Sequence, residues 1–186
     1  MNHDVKQAAD QTLLSDPTEI ALVEHFNIHH ELKELGRIQG EFSRLGELPF
    51  DSDRKCMTTV HRLNENFLVI SKGAVESVEA SLSDDNPREE ILRKAQEMAS
   101  NGIRVIAYAY KILPTLPEPF TYEMVEKDLQ YAGMAGMIDP PREEVKSAIA
   151  DCKTAGIQVV MITGDHPATA LAIARRKDYA RAGIPM

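Results

Sequence analysis

The sequence predicts an α+β fold in which helices flank an antiparallel sheet, followed by a partial α/β, Rossmann-like unit. Three observations predict it. Two apolar runs at strand spacing, 57–63 and 67–72, flank the turn-like Asn64-Glu65-Asn66 and read as a hairpin. Two capping signatures, Asp16-Pro17-Thr18-Glu19 and Asn86-Pro87-Arg88-Glu89, open helices on either side of that hairpin. Beyond Gln130 the pattern becomes strand, helix, strand, helix, which implies a parallel sheet covered by helices.

Taken in order, Asp16 is the cap of the first helix, Pro17 its first residue and Glu19 is placed to reach back to the cap. Ile20, Val23 and Phe26 give that helix its buried side. Strand spacing starts after Gly46 and leads into the hairpin. The helix opened at Pro87 carries Ile91, Leu92, Ala95 and Met98 and stops at Asn101-Gly102, and a strand over 103–110 follows. The prolines between Pro114 and Pro119 predict a surface connection or long loop. Residues 131–138 read as a buried parallel strand. Pro141 opens a helix with Val145, Ala148, Ile149 and Cys152 on one side, Gly156 ends it, 157–162 is a second apolar strand, and Pro167 opens another helix. The organisation expected is therefore one α+β domain over 1–129, a piece of a doubly wound domain over 130–176, and an unassigned tail over 177–186. An incomplete parallel sheet is expected to leave an uncovered apolar face.

The chain has 186 residues, enough for a proper core, with 43% hydrophobic and 27% charged residues and no apolar run long enough to span a bilayer. A soluble chain without direct membrane contact is expected. Its formal net charge of -8 opposes nucleic acid as a partner, because neutralising phosphates takes clustered Lys and Arg. Cys56 and Cys152 stand in no metal-ligand spacing, and the polar start lacks the apolar stretch of an export signal.

The most specific chemical signal is Met161-Ile162-Thr163-Gly164-Asp165, where an expected parallel strand passes into its helix. Such strand ends form the crevice in which open α/β sheets bind ligands, and a Thr hydroxyl with a Gly backbone N–H suits a phosphoryl oxygen. A plain strand-to-helix turn capped by Asp165 reads as well. Asp139-Pro140-Pro141-Arg142 ends the preceding strand, so Asp139 and Arg142 fall in the same crevice, although on their own they read as a helix start.

Together these two motifs resemble the P-type ATPase family, whose phosphorylation domain has a haloacid-dehalogenase-like parallel sheet. Three earlier motifs extend the resemblance over nearly the whole chain: Asp16-Pro17-Thr18-Glu19, then Leu48-Pro49-Phe50-Asp51-Ser52-Asp53-Arg54-Lys55, then Ser71-Lys72-Gly73-Ala74. Arg104, entering a strand after Gly102, is similar to the Arg that the family uses on nucleotide phosphates. The resemblance implies a nucleotide-binding domain over 1–129 and a fragment of the phosphorylation domain over 130–176. It implies that Phe50 stacks on adenine, Glu19 meets the base edge, Lys72 and Gly73 border the purine pocket, and Arg104 reaches toward the phosphates, with Lys55 and Met57 in the same site. ATP is the implied ligand, with Mg2+ accompanying it in the parent protein. Read from the residues alone, Phe50 could equally be core, Lys72 a solvated hairpin end, and Arg104 the partner of a carboxylate. Ser52 stands where some calcium pumps carry an Arg, so no phosphate contact is expected there.

The family's Asp-Lys-Thr-Gly-Thr phosphorylation motif and its Gly-Asp-Gly-x-Asn-Asp magnesium motif do not occur in these residues. Without that nucleophile no aspartyl-phosphate forms, so this chain is expected to be inactive alone. The implied partners are the remaining phosphorylation, actuator and membrane domains of a type II, calcium-pump-like transporter, with this part on the cytoplasmic side. The alternative reading is a stand-alone nucleotide-binding or regulatory protein, and a small phosphatase is disfavoured. Asp51-Ser52-Asp53 is not a phosphatase nucleophile, because it does not follow an apolar parallel strand. His25 and His29 share a helix face but lack a third spaced ligand for zinc.

Overall fold

A computed structural model describes residues 2–7, 12–30, 32–138, 144–160 and 162. The chain separates into two compact units, one of Met1–Leu92 with Ile106–Ala135, the other of Arg93–Val105 with Gly136–Met186.

Two short strands, β1 (Lys6–Gln7) and β2 (Leu13–Leu14), pair antiparallel ahead of helix α1 (Pro17–His29). The Asp16 side chain accepts from the Thr18 backbone N–H at 2.9 Å, which satisfies one of the donors that a helix start leaves open. Glu19 does not complete a capping box as the sequence led us to expect. Its carboxylate takes longer-range partners, described below. Helix α2 (Leu32–Glu41) was not expected: it holds Gly36 and Gly40, both poor for helix propensity.

Strands β3 (Arg44–Asp51), β4 (Cys56–Leu63) and β5 (Asn66–Gly73) form an antiparallel meander. Leu63 pairs with Asn66 across the tight turn, and Asn64 sits there at φ 53, a region Asn tolerates better than most residues. Helices α3 (Val75–Ala80) and α4 (Arg88–Ser100) follow, and Gly102 at φ 72 releases the chain into β6 (Arg104–Leu113). A single turn, α5 (Tyr122–Val125), precedes β7 (Gln130–Met137) and α6 (Glu144–Thr154). The sheet order is β3-β4-β5-β6-β7.

Two expectations are corrected. The strand expected over 131–138 as the start of a parallel unit is β7, the outer strand of the same five-stranded sheet, beside β6. A short apolar run satisfies either sheet type, so its partner could not be read locally. The expected second parallel strand over 157–162 is not a strand in its described part, and Ile162 is 93% exposed. The Ile157 N–H instead donates to the Cys152 carbonyl at 2.8 Å, closing the end of α6 rather than entering a ladder.

Alternation sends the side chains of each strand to opposite faces of the sheet. Val60 and Val69, opposite one another, join Val125 in the core, with Leu48, Phe67, Leu113, Leu116 and Phe120 against it. The Pro-rich connection thus closes the core through Leu116 and Phe120 rather than only crossing the surface. The other face carries the register rows Met57–Lys72–Tyr108 and Thr59–Ile70–Tyr110. Toward β7 this face opens into an apolar hollow of about 560 Å³ that includes Leu68, Ile70, Tyr110 and Met134. No helix of the described residues is long and apolar enough to cross a membrane.

Candidate nucleotide site

The candidate residues gather where β3 ends, β4 begins and β5 ends. One register row, Asp51–Cys56–Gly73–Ala107, runs across four strands, so Phe50 and Lys72 each stand one residue from it. Phe50 is 65% exposed, so it is not a core residue. Behind it the turn is held by Asp51, whose Oδ1 accepts from the backbone N–H groups of Asp53 and Arg54 at 3.0 and 2.9 Å. Those bonds, that of Arg54 first, hold the Asp51 carboxyl below its ordinary value. Lys55 has an exposed side chain and a backbone at φ 53, and its carbonyl accepts from Ala74 N–H at 3.0 Å. A Cβ on Gly73 would strike that same Lys55 carbonyl and lie 2.6 Å from Cys56 Sγ. This close crossing of β4 over the end of β5 is why glycine stands there.

Lys72 is not a solvated hairpin end. It is 8% exposed, and its Nζ donates to Glu19 Oε1 at 2.5 Å and to the Asn2 carbonyl at 2.7 Å. Glu19 reaches it from the first turn of α1, and its Oε2 accepts from Asp4 N–H at 2.7 Å and Ser15 Oγ at 2.9 Å. Burial by itself would raise the Glu19 carboxyl, but the hydrogen bonds from Lys72, Asp4 and Ser15 and the Lys72 charge outweigh it and the net shift is downward. The segment Asn2–Asp4 therefore straps the ion pair in place. Asn2 Nδ2 also donates to the Ile70 carbonyl at 2.9 Å, and Arg44 binds the His3 carbonyl and Asp4 Oδ1, each at 2.6 Å.

Sequence reading missed Tyr108. It is the register partner of Lys72, and burial first, then the Glu19 charge, push its phenol up to about 12. The available signal was its place four residues after Arg104 in an alternating strand. Asn2 and Asp4 were also missed, because they act through backbone groups that no residue type announces. Arg104 opens β6 with an exposed side chain and belongs to the second unit. Asp139, Arg142, Thr163, Gly164 and Asp165 lie outside the described residues.

The strap carries an acid-sensitive element. Burial lowers His3 to about 4 and lowers His61 as well, so the folded chain keeps both rings neutral where the unfolded chain protonates them. Stability is therefore expected to fall as pH drops from about 6.5 toward 4, since the unfolded state binds more protons there. Below that window the depressed Glu19 carboxyl adds to the loss, because its stabilisation goes as pH falls through its folded value. Urea midpoints measured at steps between pH 7 and 4 check this, and a flat profile would contradict it.

An exposed aromatic at the end of β3 and a Lys72–Glu19 ion pair at the end of β5 thus flank one register row, with the exposed Lys55 in the turn between β3 and β4. The family described as P-type ATPase, cytoplasmic domain N, matches residues 2–144. The chain belongs to this family. A calcium-transporting ATPase of Listeria monocytogenes is 42% identical over 173 residues, covering 87% of this chain and 19% of the relative. Calcium-transporting ATPase 1 of Bacillus cereus is 37% identical over 177 residues, covering 89% and 20%. The cation-transporting ATPase pma1 of Synechocystis is 37% identical over 183 residues, covering 94% and 20%. The chain thus spans about a fifth of the length of these relatives. As a domain of this family, it has the mixed α+β form with a central antiparallel sheet that the sequence led us to expect.

Proposed function

We propose that this domain holds ATP for an ATP-driven cation pump, with the adenine stacked on Phe50 and its edge read by the Glu19–Lys72 pair. The observation that carries the reading is the register row Asp51–Cys56–Gly73–Ala107, which brings the exposed Phe50 and the buried Lys72 to one edge of the sheet. An adenine amino group is a donor and suits the Glu19 carboxylate. Its ring nitrogens are acceptors and suit the Lys72 ammonium, two of whose three N–H groups have acceptors among the described residues. Because Glu19 already neutralises Lys72, the phosphates draw on Lys55, whose side chain is exposed.

The transported species in this reading is a cation. Calcium is favoured by relatives that carry that name. The partners are the parent's phosphorylation, actuator and membrane domains. Among the described residues no group of three His, Cys, Asp or Glu converges to hold an ion. Magnesium enters this reading with the nucleotide phosphates. Calorimetric titration with ATP tests the proposal: saturable binding supports it, and a featureless titration at high nucleotide concentration refutes it.

A further inference from the structure

Stacking on an exposed ring requires that the ring be held still, because an aromatic on a loose turn would lose part of its binding energy in being ordered. Phe50 ends a strand and opens a turn, and its own side chain is largely in water. What holds the turn is therefore a separate question from what touches the ligand.

The structure places a half-buried clasp behind it. Arg54 sends Nη2 back to the Pro49 carbonyl at 2.9 Å, the backbone group immediately before Phe50. Its Nη1 pairs with Glu126 Oε1, beyond the end of α5, and its guanidinium lies 5.5 Å from the centroid of the Tyr122 ring. Glu126 is itself pinned from the sheet. Thr58 Oγ1 donates to the same Oε1 at 2.6 Å and has Ser71 Oγ 3.0 Å away, and the carboxylate can only accept, so the Ser71 hydroxyl donates to Thr58. The two charged side chains are 18% and 9% exposed, so the clasp sits in a setting where a planar, two-pronged guanidinium holds geometry that an ammonium does not. Both prongs of the Arg54 guanidinium are committed to this clasp.

We infer that Arg54 and Glu126 are positioning residues for Phe50, fixing the turn 49–55 so that the ring presents a ready stacking face. The inference rests on the nucleotide reading given above and adds to it residues that act through Phe50 rather than on the ligand. Fixing the ring beforehand lowers the ordering cost on binding, so loss of the clasp reduces affinity even when the ring is still present.

A double-mutant cycle tests it on the whole 186-residue chain, with ATP affinity read by calorimetry and folding read by thermal melts. Arg54→Lys keeps the charge and loses the fork, and is expected to weaken ATP binding about tenfold in the wild-type background but less than about twofold in Phe50→Ala. A destabilisation unconnected with Phe50 would lower affinity equally in both backgrounds, and that result overturns the inference. So does a wild-type affinity for Arg54→Lys. If Arg54→Lys does not fold, Glu126→Gln, which keeps the shape of the acceptor and loses its charge, is run through the same cycle with the same two criteria. Failure of the wild-type chain to bind ATP would remove the nucleotide reading and this inference together. Failure of the coupling alone, with ATP bound and weakened by Phe50→Ala, removes only this inference.

Discussion

Lys72→Ala is expected to destabilise the domain by about 3–5 kcal/mol at neutral pH, the cost of breaking a buried ion pair from one side. Among the described residues the substitution leaves Glu19 with Asp4 N–H and Ser15 Oγ as partners and takes the Lys72 donor from the Asn2 carbonyl. An unpaired carboxylate in that setting takes up a proton more readily, so the deficit is expected to shrink as pH falls toward the carboxylate range. Exchanging both partners in Lys72→Met with Glu19→Gln removes the uncompensated charge and is expected to recover much of the loss. Urea denaturation at pH 7 checks the pair: the midpoint should fall sharply for the single variant and return part-way for the double. A single-variant loss under about 1 kcal/mol would show that the pair is solvated like a surface bridge.

Phe50→Ala is expected to do the reverse, leaving the fold nearly unchanged while weakening ATP by about 1–3 kcal/mol, the range of one base–aromatic stack. Because the ring is 65% exposed, its removal is expected to change stability by no more than about 0.5 kcal/mol, as for surface positions generally. Phe50→Ala therefore reads binding apart from folding. Calorimetry with ATP on the Phe50→Ala chain, beside a thermal melt, reads both. Unchanged affinity would remove the stacking role even while the family membership stands.

Signals confined to a few neighbouring residues were legible in the sequence. The Asp16 cap, the Asn64 turn and the Gly102 release are local chemistry, and the structure has each of them. The fate of Lys72 was not legible, because its partners Glu19 and Asn2 are 53 and 70 residues away and the bond to Asn2 is to backbone. The same holds for Glu19. A local rule placed it on its own cap, whereas the fold offered it a buried ammonium, and a charge-assisted bond outweighs a neutral one. The pairing of β7 with β6 escaped notice because a half-buried strand reads alike beside either kind of neighbour. Tyr108 became visible only once register set it across from Lys72.

The central claim is that one sheet edge, where β3, β4 and β5 meet, receives the base of ATP. The most direct test is to titrate ATP into isotope-labelled chain and follow backbone amide shifts. The account predicts saturable shifts concentrated at residues 50–57, at 72–74 and at Glu19, with adenosine reproducing those at Phe50 and Gly73. Saturable shifts that avoid this edge, or none at all, would contradict it.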